Sequence, residues 1–203
     1  TIKMLKKLLF LILIIIHCQA GYTFLQNITT CSSPMAIDFT YDGQYAICSE
    51  TNFAFIFENK GASGFVYMMN MSLAGTFCYP QIAKVTNPGG QENIYISVLW
   101  GGKYMLYLLD VAARSTSLVI QTAYLSVTTS YMHRLIEHGP YWYFSGNGIL
   151  YVYSNTGGTN YTQLTTLSYT LNMNGAIPAF SCSVDGIYLA MMNNYYYVNL
   201  YRL

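Results

Sequence analysis

Short runs of alternating apolar and polar residues, separated by turn residues, recur along the chain. The segment "FSCSVDGIYLAMMNNYYYVNLY" (residues 180–201) has a strand, an Asp-Gly turn, a second strand, an Asn-Asn step and a third strand. The segment "AIDFTYDGQYAICSETNFAFIFE" (residues 36–58) has the same order. Because side chains alternate across a strand and Asp-Gly favours a tight hairpin, both segments predict antiparallel meanders.

The turn glycines of these meanders define a repeat. Gly43 and Gly186 mark the first and last meander, and two similar segments between them have their turns at Gly90 and Gly139. Successive glycines are 47, 49 and 47 residues apart. A fixed period of this size indicates a repeat architecture, in which each unit buries one face against its neighbours.

The first three units each end in a fourth apolar segment, which gives the strand content of a propeller blade. The sequence stops before a fourth segment of the last unit, but "GYTFLQNITTCSSP" near the N-terminus is similar to "GFVYMMNMSLAGTFCYP" of the first unit. Both begin with glycine and an aromatic residue, and both reach a cysteine shortly before a proline. We therefore predict an all-β, four-repeat, β-propeller-like domain over residues 21–203, with the N-terminal strand completing the last blade.

The segments "FTYDGQYAIC" and "FSCSVDGIYLAMM" resemble the strand–turn–strand core of WD40/YVTN-type β-propeller repeats. That core has a phenylalanine, a small residue, an Asp-Gly turn and a strand that begins with an aromatic residue. The chain lacks the Trp-Asp and Gly-His pairs of WD40 repeats. The resemblance implies a fold, and closure by an N-terminal strand, but no particular activity, because the family is functionally diverse.

The low charge of the chain indicates which partners it has. Charged residues make up 8% of the sequence, hydrophobic residues 53%, and the formal net charge is +1. Weak electrostatic repulsion leaves a protein poorly protected against association, so we expect the partner to be the chain itself, as a homo-oligomer or filament. Lysine and arginine do not cluster beyond the first seven residues, so we expect no nucleic acid partner.

The N-terminal segment predicts secretion. It has two lysines, an apolar run over residues 8–16, and small residues at Cys18 and Ala20, which is the layout of a signal peptide over residues 1–20. The alternative is an apolar N-terminal segment that the protein retains. The run is short for a bilayer span, so we expect no stable membrane span.

Three sequons and four cysteines agree with a secreted protein. Asn27, Asn70 and Asn160 each begin an Asn-X-Ser/Thr triplet, which predicts N-linked glycans. The disulfide candidates of the mature part, with three connectivities open, are Cys31, Cys48, Cys78 and Cys182. The alternative is that some of these cysteines are buried thiols.

Candidate chemistry is sparse in this sequence. His133, Glu137 and His138 form the one metal-like cluster, but residues five apart on a strand point to opposite faces, so we expect no metal. Asp42 and Asp185 precede turn glycines, which predicts hydrogen bonds within the turns. The nucleophile-elbow, phosphate-loop and dinucleotide motifs are absent, so we expect no catalytic residues, no cofactor and no enzymatic activity.

These observations lead to a hypothesis with two alternatives. The favoured function is that of a secreted, glycosylated structural or interaction protein, which self-assembles through β-strand complementation into an extracellular filament or matrix. The first alternative is an extracellular carbohydrate- or ligand-binding propeller that uses exposed tyrosines of "YWYF" (residues 141–144) or "YYYV" (residues 195–198). The second alternative is a hydrolase or lyase on a propeller scaffold.

Overall fold

The computed structural model describes residues 29–31, 34–73, 79–100, 102–123, 133–137, 139–146, 149–168, 180–194 and 197–203. These residues form four antiparallel sheets, in which every strand pairs with the next strand in sequence. We call each sheet a blade, numbered from the N-terminus. Among the described residues, no helix has the length and hydropathy that a bilayer span requires.

The strands of the four blades follow in chain order. Blade one contains β1 (Ala36–Phe39), β2 (Tyr45–Ser49), β3 (Phe53–Asn59), a 3₁₀ turn at Gly61–Ser63, and β4 (Phe65–Ser72). Blade two contains β5 (Gln81–Thr86), β6 (Glu92–Trp100), β7 (Lys103–Asp110) and β8 (Ser115–Gln121). Blade three contains β9 (His133–Leu135), β10 (Tyr141–Gly146), β11 (Ile149–Gly157) and β12 (Asn160–Ser168). Blade four contains β13 (Phe180–Cys182), β14 (Tyr188–Asn194) and β15 (Tyr197–Arg202).

The architecture confirms the all-β, four-repeat, propeller-like prediction. The first strands of blades one, two and three lie side by side, since β1 contacts β5 and β5 contacts β9. Blade four has three strands among the described residues. The strand predicted to complete it, at residues 22–30, lies outside the described residues except for its last two positions.

The blades pack face to face through three apolar clusters. The cluster between blades one and two includes Ile47, Ile56, Ile82, Ile96 and Met105. The cluster between blades two and three includes Tyr95, Tyr104, Leu106, Trp142 and Phe144. The cluster between blades three and four includes Ile136, Tyr143, Val152, Leu189 and Met191. Within the described part of the chain, no such cluster joins blade four to blade one.

The predicted turn hydrogen bonds of both aspartates are confirmed. In blade one, Asp42 Oδ1 accepts hydrogen bonds from Thr40 Oγ1 at 2.7 Å and from the backbone N–H of Gln44 at 2.9 Å. In blade four, Asp185 Oδ1 accepts a hydrogen bond from Ser183 Oγ at 2.5 Å and another from the backbone N–H two residues after Asp185 at 3.0 Å. The same local chemistry therefore aligns the first two strands of both blades.

The four repeat glycines lie in the connections between the first and second strands. Gly43, Gly90 and Gly186 have positive φ angles of 67°, 82° and 74°. Gly139 is required for a different reason: a Cβ on it would collide with the backbone carbonyl of Asp185 in the next blade. The repeat spacing thus combines turn geometry with close contact between blades three and four.

Candidate functional site

The first strands of all four blades surround a cavity of about 240 Å³, which we call the central cavity. Its lining includes Asp38 and Phe39 of blade one, Gln81 and Ile82 of blade two, Arg134 to Glu137 of blade three, and Cys182 to Val184 of blade four. Apolar and polar side chains both reach it. A cavity where four strands converge and a few charged groups meet apolar walls is the usual form of a small-ligand site.

Asp38 is one of two half-buried carboxyl groups that line the central cavity, and Glu137 is the other. Its Oδ2 accepts a hydrogen bond from the backbone N–H of Ile82 at 3.0 Å, which links blade one to blade two. Burial raises the pKa of Asp38, while that hydrogen bond and the positive charge of Arg134 act in the opposite direction. A carboxyl with a raised pKa in a cavity is suited to exchanging protons or accepting hydrogen bonds from a ligand.

Arg134 is the cation of the central cavity, and its side chain is exposed. Its charge reaches both Asp38 and Cys182, since it lowers the pKa of each against the effect of burial. No ion pair joins Arg134 to any acid in the described part of the chain. The guanidinium therefore keeps its donors for other groups.

Glu137 connects three blades through its carboxylate. Its two carboxylate oxygens accept hydrogen bonds from the backbone N–H of Tyr41, both at 2.8 Å, and one also accepts from the backbone N–H of Lys84 at 3.3 Å. This carboxylate joins turns of blades one and three to the first strand of blade two. Of the other members of the metal-like cluster, His138 lies outside the described residues.

His133 lies in a buried polar network between blades two and three. Its Nδ1 shares a hydrogen bond with Ser97 Oγ at 2.5 Å, and its Nε2 meets the carbonyl oxygen of Tyr79 at 2.5 Å. Ser97 Oγ also accepts from Trp142 Nε1 at 2.9 Å. Burial lowers the pKa of His133 to about 4, so its ring is neutral at physiological pH. Because Ser97 is fully buried, this pair packs the core and does not face a substrate.

The cysteines divide into a disulfide and a free thiol. Cys31 and Cys48 form a disulfide that packs the segment before β1 against the outer face of blade one. Cys182 is a free, half-buried thiol beside the central cavity, and burial raises its pKa to about 12. Cys78 lies outside the described residues. A disulfide of this kind persists in oxidising compartments.

Two of the three sequons lie on fourth strands. Asn70 on β4 and Asn160 at the start of β12 are both exposed, so both side chains are accessible to a glycosyltransferase. Asn27 lies outside the described residues. Glycosylation at all three positions stays a prediction.

The sequence alone does not mark Asp38 or Arg134 as a ligand-binding residue. They are single charged residues in short strands, and nothing in the local pattern marks them. The available signal is their position: each lies five residues before a repeat glycine, Gly43 or Gly139. Equivalent positions in a propeller converge on the centre, so comparing charges across the aligned repeats finds them.

Comparison with known proteins shows a β-propeller-type fold. No family model and no curated protein matches the chain. The WD40 domain of SCAP from fission yeast has a TM-score of 0.57 at 14% identity, over 82% of this chain and 39% of that one. A protein from Bacteroides uniformis assigned as a 6-phosphogluconolactonase has a TM-score of 0.56 at 13% identity, over 82% and 49%. The periplasmic gluconolactonase of Pseudomonas aeruginosa has a TM-score of 0.51 at 17% identity, over 78% and 49%.

Two points follow from these matches. The chain spans less than half the length of the structures it matches, and at such low identity the likeness is one of fold. The expectation that the chain is not an enzyme is wrong, because it took the fold to carry no enzymatic activity and two of the matched structures are named as lactonases. The physical reason is that the absence of catalytic motifs from a sequence does not exclude catalysis, because a fold can gather titratable groups from distant repeats in one cavity.

Proposed function

We propose that this chain is an extracellular interaction protein that assembles with copies of itself through the outward faces of its first and last blades. The observation that carries the proposal is the outward face of blade four, the rear face, formed by Tyr188, Val198 and Leu200. Leu189 and Met191 point toward blade three, so the alternate side chains point away from it. Leu200 is 80% exposed. An exposed apolar face on a sheet marks an interaction site.

Blade one carries the complementary surface, the front face, formed by Ile37, Phe39, Phe53 and Tyr67. These side chains are between 41% and 57% exposed. The ring of Phe39 packs edge-on against Phe65 at 5.6 Å. This face is rich in aromatic residues, which are enriched at protein interfaces because they bury a large area with few rotatable bonds.

A second copy of the chain fits these faces because of how the blades already pack. Each interface within the chain joins the rear of one blade to the front of the next. A head-to-tail neighbour brings the exposed part of its front face, beside the segment that the Cys31–Cys48 disulfide holds on that face, against the rear face in the same orientation. Such a contact closes into a ring or continues as a filament, according to the angle between copies. The matched structures are longer than this chain, which covers 39% to 49% of their lengths, and this agrees with a larger assembly built from more than one copy.

Strand complementation adds backbone hydrogen bonds to this contact. The edge of β15 has no fourth strand beside it among the described residues. In the proposal, residues 22–30 of a neighbouring copy pair with this edge, as an added strand does in β-augmentation. The disulfide between Cys31 and Cys48, together with the sequons, supports an extracellular location.

Assembly is tested by placing charges on the rear face. The double variant Val198→Glu/Leu200→Glu buries two carboxylates in the proposed contact, so it is expected to sediment as a monomer where the native protein sediments as a ring or polymer. The matched control is Leu118→Glu/Leu164→Glu, which changes two half-exposed leucines on β8 and β12 and is expected to assemble normally. Analytical ultracentrifugation and negative-stain electron microscopy give the readout. A native protein that stays monomeric at high concentration, or a rear-face variant that assembles fully, contradicts the proposal.

We propose hydrolysis of a sugar lactone at the central cavity as a second candidate function. It is favoured by the half-buried carboxyl of Asp38 and by the names of two matched structures. Asp38 takes a proton from water as the water oxygen adds to the lactone carbonyl carbon. It then returns that proton to the ring oxygen as the bond between this oxygen and the carbonyl carbon breaks, which gives the hydroxy acid. The test is acid release from δ-gluconolactone above the spontaneous rate. Equal rates with and without protein, or no loss of the excess rate in Asp38→Asn, contradict it.

A further inference from the structure

Asp38 and Arg134 occupy the same position in blades one and three. Asp38 lies two residues before Thr40, whose backbone N–H donates to the carbonyl oxygen of Tyr45 at 3.0 Å. Arg134 lies two residues before Ile136, whose N–H donates to the carbonyl oxygen of Tyr141 at 3.0 Å. The two hydrogen bonds close equivalent turns. The repeat therefore places an acid and a base at matching points around the central cavity.

The two side chains do different things at this position. Asp38 accepts a hydrogen bond from the first strand of the next blade, at the N–H of Ile82. A guanidinium has donors only, so Arg134 cannot make the equivalent contact with blade four. The described part of the chain offers no hydrogen bond or ion pair to the Arg134 side chain. A cation that departs from the repeat, lines a cavity and has no hydrogen bond or ion pair among the described residues is explained by a ligand better than by stability.

We propose that Arg134 and Asp38 form a binding site for a monosaccharide that carries a carboxylate. The planar fork of Arg134 binds a carboxylate through two parallel hydrogen bonds. The carboxyl of Asp38 accepts hydrogen bonds from sugar hydroxyls. The cavity of about 240 Å³ is smaller than the ~300–1,000 Å³ of sites for drug-sized ligands, which suits a single sugar ring.

Apolar side chains of the central cavity complete the match to a sugar. Ile82 and Leu135 are buried in its wall, and the rings of Phe39 and Tyr41 are exposed at its rim. Such surfaces pack against the C–H face of a sugar ring. An amino acid zwitterion is disfavoured, because its ammonium group would have to be desolvated to form a second partly buried ion pair with Asp38.

The site is tested by calorimetry on the full chain with D-glucuronate, D-glucose and acetate. Glucuronate has both the carboxylate and the hydroxyls and is expected to bind. Glucose lacks the carboxylate and acetate lacks the hydroxyls, so each is expected to bind at least about 10-fold more weakly. Arg134→Gln is expected to weaken glucuronate binding by about 10-fold or more, and Arg134→Lys by an intermediate factor. Arg114→Gln removes the same charge from an exposed turn of blade two and is expected to bind as the native protein does.

Several results would overturn the proposal. These are absence of glucuronate binding at millimolar concentration, equal binding of glucose, unchanged binding by Arg134→Gln, and tighter binding of L-serine than of glucuronate. Because the Arg134 side chain makes no hydrogen bond or ion pair with the described residues, its variants are expected to keep the native melting temperature, so a binding loss reports the site itself. The rear-face variant keeps the central cavity intact, so glucuronate binding by that variant separates this proposal from the proposal of assembly.

Discussion

Glu137 accepts two hydrogen bonds from a single backbone N–H, that of Tyr41, which lies 96 residues earlier in the chain. The carboxylate belongs to the first turn of blade three and the N–H to the first turn of blade one. One side chain therefore connects two repeats that are not neighbours in sequence. The rim of the central cavity depends on this contact, because Tyr41 and Glu137 both line it.

Removing this carboxylate should destabilise the domain. Glu137→Ala leaves the N–H of Tyr41 without that acceptor, so unfolding by urea should show a loss of about 1–3 kcal/mol. Glu137→Gln keeps one oxygen acceptor and should lose less. Glu58→Ala is the control, since Glu58 forms a surface ion pair with Lys60 at 2.6 Å and its loss should change stability by under about 0.5 kcal/mol. Equal effects of the two alanine variants would contradict this role.

Gly139→Ala should loosen blade four from blade three. The added methyl group collides with the backbone carbonyl of Asp185, which cannot rotate away, so a loss of about 1–3 kcal/mol or more is expected. Hydrogen exchange should show faster opening of β13–β15, where Tyr143 normally donates to the carbonyl of Gly186 at 2.5 Å. Gly43→Ala meets open space and tests backbone strain alone, so it should leave exchange in blade four unchanged.

Acid should destabilise the protein through His133. Burial lowers its folded-state pKa to about 4, against about 6.5 in the unfolded chain. The unfolded state therefore binds more protons between these values, so stability is fully present above pH 6.5 and falls as the pH drops to 4. His133 therefore lowers the free energy of unfolding by about 3 kcal/mol over this range, and it contributes no further loss below pH 4.

The pH dependence can be assigned with one substitution. His133→Gln removes the titrating ring while keeping polar atoms near Ser97. The free energy of unfolding, measured with urea between pH 7 and pH 4, should therefore depend much less on pH in this variant. A slope identical to that of the native protein would show that other groups cause the acid sensitivity.

Reduction of the disulfide should lower stability while leaving the blades folded. The bond between Cys31 and Cys48 spans 17 residues, and a loop of that size contributes about 3 kcal/mol. Thermal unfolding with and without dithiothreitol measures the difference. Cys31→Ala/Cys48→Ala should lose its sensitivity to the reductant, whereas Cys182→Ser should keep it, because Cys182 is a free thiol.

N-linked glycans should be found on the outer strands of native-source protein. Asn70→Gln and Asn160→Gln should each lower the intact mass by one glycan, because both asparagines are exposed. Glycosidase treatment should remove the remaining heterogeneity. No mass change on treatment of protein from its native source would contradict this prediction.

The sequence by itself determined the repeat and most of its local structure. The strand pattern, the turn chemistry of Asp42 and Asp185, and the glycine spacing are local properties, because each depends on residues a few positions apart. The same reasoning explains why Asn70 could be placed on a fourth strand. These features required no knowledge of which repeats contact one another.

Only the tertiary structure decided the site and the free surfaces. Asp38 and Arg134 line one cavity because the first strands of the blades converge on it, and this placement does not depend on the residues next to them in sequence. The pairing of Cys31 with Cys48, out of three connectivities, needed the path of the segment before β1. The buried partnership of His133 with Ser97 depended on how blades two and three pack. Each of these is a contact between residues far apart in sequence. The apolar and polar alternation along one strand shows which face is buried, but it does not show which residues of another blade pack against that face.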